Sequence, residues 1–199
     1  MSQIVLTSDV LGTTTAGALE YDGVALYATP TAAQRGVIMA EQIILLQAAY
    51  TLTSQTAAQK LFNTPTGGQV TLTAGTYEFE CFYSLTAMSA TSGSFGFALG
   101  GTATFTQFYL ATADKRATLA TVQTAQFTYN VAAITTMATA NVNTTGFAQI
   151  SGIINVSASG TIIPQVSLTI AAAAVVGIGS YFRIRPIGNT TVTSVGNWS

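Results

Sequence analysis

Glu78 and Glu80 stand two residues apart in the run Thr-Tyr-Glu-Phe-Glu-Cys at positions 76–81. Two carboxyls on one strand face lie several ångströms apart, and a glycosidase uses such a pair as acid and base. A solvated strand face is the plainer reading of the same two residues. The chain contains no histidine, so Ser-His-Asp and Cys-His arrangements and imidazole metal ligands are all absent. The single Cys81 excludes an intrachain disulfide framework and any multi-cysteine metal site. It occupies an apolar position of an alternating run and reads as a small buried hydrophobe. No glycine-rich phosphate loop with its lysine occurs, and Gly177-Ile178-Gly179 reads as a turn. Asp114-Lys115-Arg116 is the densest charge cluster; it suits an exposed turn, with a docking contact as the alternative. Asn-x-Ser/Thr triplets at Asn143, Asn155, Asn189 and Asn197 are what chance supplies in so threonine-rich a chain. These residues assign no catalytic, cofactor-binding or metal position, and the chain is not expected to be an enzyme or to carry a cofactor.

Charge points elsewhere. Six Lys or Arg and seven Asp or Glu serve 199 residues, for a net charge of -1, while 49% of the residues are hydrophobic. A chain of this mass exposes roughly 9,000 Å² when folded alone, so each charge would have to keep roughly 700 Å² in solution. A diffusing monomer with so few ions is prone to self-association. Much of the surface is therefore expected to be hidden against sister chains. Lys115 and Arg116 are adjacent and Arg183 and Arg185 are two apart, with no further basic cluster, so no nucleic-acid footprint is expected. The start at Met1 lacks the basic residues and apolar run of a secretory signal. The most apolar window, residues 162–178, is interrupted by Pro164, Gln165, Ser167 and Thr169, so no membrane span is expected.

The elements that must carry these residues repeat with period two. Tyr77, Phe79, Cys81, Tyr83 and Leu85 share one face of a strand, with Glu78, Glu80, Phe82, Ser84 and Thr86 on the other. Phe95, Phe97 and Leu99 alternate with small residues ahead of a tight turn at Gly100-Gly101, and Ala125, Phe127, Tyr129 and Val131 alternate with polar ones. Ala148, Ile150, Ile154 and Val156 form a further set, as do Ile162, Val166, Leu168 and Ile170. Phe182 and Ile184 face a core, leaving Arg183 and Arg185 outside. Residues 37–50 have a length that suits a helix, but their Ile-Ile-Leu-Leu centre favours a buried strand followed by residues 51–53, and residues 54–63 suit one short helical turn capped by Ser54. Tyr21, Tyr27, Tyr50, Phe105, Phe108 and Tyr109 escape clear phasing; most are expected in the core, the remainder at subunit contacts. Many short strands punctuated by Gly, Asn and Ser describe an all-β jelly-roll sandwich over residues 35–199, preceded by an extended arm or hairpin over residues 1–34.

Residues 17–27 (GALEYDGVALY) resemble a motif frequent in tail-fibre and other virion proteins of tailed bacteriophages. The Asp22-Gly23 turn between Tyr21 and Leu26 agrees with a hairpin there. Gly75-Thr76-Tyr77-Glu78-Phe79-Glu80, Ser94-Phe95-Gly96-Phe97 and the closing Gly179-Ser180-Tyr181-Phe182-Arg183-Ile184 resemble the trimeric jelly roll of the tumour necrosis factor and complement globular-head type. In that family the Gly-x-Tyr-x-Phe strand is central and the last aromatic strand lies near the threefold axis. Residues 187–199 (IGNTTVTSVGNWS) are similar to the endings of phage and prophage proteins.

The resemblance implies a TNF-like homotrimer in a virion, with no active site to carry over. A fibre tip usually ends a long shaft, whereas this sequence starts at Met1, so a small separate component is expected. The expectation is a capsid decoration or cement protein that docks on the major capsid protein at the particle exterior. The alternative is a receptor-binding tail-fibre or head-fibre tip that recognises a host surface glycan or receptor.

Overall fold

The computed structural model describes residues 4–31, 34–63, 67–114, 123–130, 135–138 and 144–191, and among them every regular element is a β-strand. In chain order these are β1 (Ala18–Tyr21), β2 (Leu26–Thr31), β3 (Gln34–Ile38), β4 (Gln42–Leu45), β5 (Tyr50–Thr51), β6 (Gln59–Lys60), β7 (Val70–Leu72) and β8 (Gly75–Thr86). They continue as β9 (Phe95–Gly101), β10 (Thr104–Asp114), β11 (Gln123–Asn130), β12 (Thr135–Ala138), β13 (Gly146–Ala158), β14 (Gly160–Leu168), β15 (Val175–Val176) and β16 (Tyr181–Gly188). The protein is all-β, and among the described residues every strand pairing is antiparallel.

The large sheet runs β11-β10-β13-β8. Beyond β8, strands β16 and β15 lie end to end along one edge, and β4 and β5 pair outside them. The smaller sheet runs β12-β9-β14, with β6 and β7 sharing the far edge of β14. One hydrophobic core joins the two sheets. Tyr83 of β8 meets Phe95 edge-on at 5.8 Å and stacks on Phe97 at 6.3 Å, both from β9 in the facing sheet.

Alternation is kept where one face is buried. Along β8 the odd positions from Gly75 to Leu85 are buried and the even ones half-exposed, and β16 follows suit with Phe182 and Ile184 inside. In β13, Ala148, Ile150, Ile154 and Val156 are all inside. The run from Ile162 stops at Leu168, where β14 ends, and Ile170 is exposed. In β9 the alternation fails, because Gly96 and Ala98 are buried along with Phe95, Phe97 and Leu99. The turn after it depends on Gly101, whose φ of +122° and 2.0 Å approach of a built Cβ to the Thr161 carbonyl leave no room for a side chain.

Two sequence expectations need correction. Residues 37–50 are not one buried strand: β3 stops at Ile38, β4 occupies Gln42–Leu45, and Ile43 and Leu45 turn outward. Residues 54–63 form no helix. The Gln59 side chain accepts from Thr53 N–H (2.9 Å) and donates to Thr53 O (3.1 Å), closing a loop that places Leu61 and Phe62 in the core. Tertiary burial outweighs the helix propensity of Ala, Gln and Lys here.

β1, β2 and β3 form a separate three-stranded sheet, so the expected division at residue 34 falls on the first residue of its third strand. The hairpin turns at Asp22-Gly23, with Gly23 at φ +95°. Asp22 Oδ1 accepts Val24 N–H (2.9 Å) and Ala25 N–H (2.7 Å), while Oδ2 accepts the Tyr27 hydroxyl (2.9 Å) and Asn189 N–H (2.9 Å). One carboxylate thus shapes the turn and fastens it to the chain just after β16. Tyr27 also donates to Ile187 O (3.2 Å), and its ring is fully buried.

Candidate functional site

The outer face of the large sheet brings together the two glutamates and the two arginines Arg183 and Arg185 singled out above. Antiparallel pairing sets Arg183 opposite Glu80, Arg185 opposite Glu78 and Tyr181 opposite Phe82. On the far side of β16, Ile43 stands opposite Arg183 and Leu45 opposite Tyr181. On the other side of β8, Ser151 faces Glu80 and Ile153 faces Glu78. Cross-strand neighbours on one face interact directly. The face therefore reads as ordered rows, with ion pairs flanked by apolar and aromatic groups.

Arg185 places both Nε and Nη2 on Glu78 Oε2, at 2.9 and 2.7 Å. Arg183 donates from Nε (3.1 Å) and Nη2 to Glu80 Oε2, and the Tyr181 hydroxyl donates to Glu80 Oε1. Glu41 lies 4.0 Å from Arg183, whose guanidinium sits 5.9 Å over the Tyr181 ring. The Tyr181 hydroxyl bond holds the Glu80 carboxyl below its ordinary range; burial opposes this, and Arg183 and Gln149 add to it. The same bond pushes the Tyr181 phenol up. Phe82 stacks on Tyr181 and meets Phe147, each at 6.1 Å.

This geometry does little for hydrolysis. A general acid needs a raised pKa, and that of Glu80 is shifted the other way. The cleft beside Glu41, Glu78, Glu80, Arg183 and Arg185 is small, about 30 Å³, and half open to solvent. The ions of the outer face are already paired within the chain, and Ile43 (57% exposed), Leu45 (49%) and Ile153 (43%) offer apolar surface around them.

Other candidates fall elsewhere. Cys81 is fully buried on the inner side of β8, where burial, reinforced by the neighbouring Glu80 charge, pushes its thiol up. Gly177-Ile178-Gly179 forms the turn between β15 and β16, held by Gly177 N–H on Ser84 O (3.0 Å) and Gly179 N–H on Leu46 O (2.9 Å). Tyr27 and Phe105 are buried, whereas Tyr21 and Tyr50 are half-exposed. Lys115, Arg116, Asn143 and Asn197, with the side chains of Phe108, Tyr109 and Asp114, lie outside the described residues. Among the described residues no group of three metal-ligating side chains occurs, and no helix is long and apolar enough to cross a membrane.

Sequence reasoning placed both glutamates and both arginines outside but did not pair them. Their matched spacing of two on strands of the same parity was the available signal. It also missed the apolar side of the small sheet, where Leu19, Tyr21, Leu26 and Ile38 line up with residues 4–6. Comparison with family models, curated proteins and solved structures gives no match for this chain.

Proposed function

We propose that the chain is a structural virion protein, a homotrimeric jelly-roll decoration or cement protein on the head of a tailed phage. The outer face of the large sheet carries this reading. It combines aromatic and aliphatic surface with ion pairs satisfied inside one chain, so covering it strands no charge. Two contacts per chain of standard size would each hide on the order of 800 Å² per partner, which accounts for a surface kept in solution by thirteen charged residues.

The strand order supports the jelly roll. Taking β4/β5, β6/β7, β8, β9, β12, β13, β14 and β15/β16 as eight strands, every step along that series except β9 to β12 crosses to the other sheet, and the first pairs with the last. Such wrapping belongs to two Greek keys. The β10–β11 hairpin widens the large sheet beyond that plan. The phage assignment rests on the GALEYDGVALY run, which forms the hairpin fastened to the end of β16.

Light scattering of the purified protein tests the assembly: a mass near three times 20.5 kDa is expected, and a stable monomer overturns the reading. Removing residues 1–34 should leave trimers but abolish binding to heads. Densitometry of particles should give hundreds of copies, whereas a few to some tens would assign the protein to a fibre tip.

A further inference from the structure

The face of the β1-β2-β3 sheet turned away from the sandwich is an uncharged groove of about 570 Å³. Leu19, Leu26 and Ile38 form its floor, and Ile4, Val5 and Leu6 form a wall that leaves it open. Ile4 is 92% and Val5 75% exposed, whereas Leu6 is half-buried, so the first two aliphatic side chains of this strip are largely uncovered. Among the described residues, its first hydrogen bond to the small sheet comes only at Asp9, whose N–H donates to Tyr21 O at 3.0 Å.

We infer that the groove receives residues 4–6 of a neighbouring copy, so that adjacent chains in the assembly exchange their opening strips. The inference rests on the trimer proposed above. Three observations select a second copy. Groove and strip match in chemistry, both being aliphatic and free of charge, and each chain supplies one of each, as closed symmetry requires. Along the chain the groove leads into the proposed contact face: Ile38 ends β3, Met39 is exposed, and β4 begins at Gln42, carrying the exposed Ile43 and Leu45. Finally, among the described residues no hydrogen bond ties residues 4–8 to the small sheet, the first being that of Asp9.

The test is a Val5→Cys/Ile38→Cys variant of the full chain treated with a short bis-maleimide and run on a denaturing gel. The wild-type protein is the control, since its lone thiol at Cys81 is buried. Products of two and three chains are expected from a sample that is trimeric by light scattering. A trimeric sample that yields only single-chain product, cross-linked internally or not at all, overturns the exchange and leaves the trimer standing. A monomeric sample overturns the trimer and the exchange together. If linkage appears only when heads are added, and then to a head protein, the groove belongs to the particle and the exchange is again overturned.

Discussion

Asp22 shapes the hairpin turn through Val24, Ala25 and Tyr27 and fastens it to the sandwich through Asn189. Burial opposes its ionisation, but the bonds from Ala25, Val24, Tyr27 and Asn189 outweigh that and hold its carboxyl below its ordinary value. Asp22→Ala removes a charged acceptor from all four donors and should cost about 2 kcal/mol or more of the attachment. Hydrogen exchange should report this as faster exchange in β1–β3 with little change in β8 and β13. A folded-state pKa below the unfolded one means the contribution is complete above the unfolded value, near 3.8 for Asp, and is lost as pH falls through the lowered value. Glu80 has the same sign, so acid should loosen the outer face as well as the small sheet. Cys81 tests the interior. Cys81→Ser buries a hydroxyl beneath β8 and should cost about 1–3 kcal/mol in denaturant titration, and the native thiol should resist aqueous thiol reagents until the protein unfolds.

Among the strands, legibility followed burial. β8, β13, β14 and β16 each press one face on the core, so their alternation could be phased residue by residue. β4 could not be, because its Ile43 and Leu45 point away from the core and period two does not say which face meets protein. The helix expected at residues 54–63 failed because Gln59 spends both ends of its amide on Thr53, a contact invisible to propensity. Likewise the Glu78–Arg185 and Glu80–Arg183 rows needed the neighbour relation of β8 and β16, which no local pattern contains. At this scale the facing sheets should be sensitive to Phe97→Ala, which empties a fully buried ring site against Tyr83. A loss of about 3–5 kcal/mol is expected in denaturant titration.

Taken whole, the molecule keeps few ions and spends them on one another: Arg35 on Glu20, Arg183 on Glu80, Arg185 on Glu78. An assembly held by aliphatic and aromatic contact should then hardly respond to ionic strength, and the trimer mass should be unchanged from low to high salt. Ile43→Lys and Tyr181→Lys, which add unpaired charge to the outer face, should instead yield monomers by light scattering while preserving the far-UV spectrum. The pairing of β4 with β16 also bears on synthesis. Residues 42–45 meet their partners only at residues 181–184, so the ribosome must reach residue 184 before that seam can close. Until then one side of β8 stays open to stray strands. A nascent or prematurely terminated chain is accordingly the form most at risk of aggregating, and refolding from denaturant should be slow, in the millisecond-to-second range of non-local β topologies.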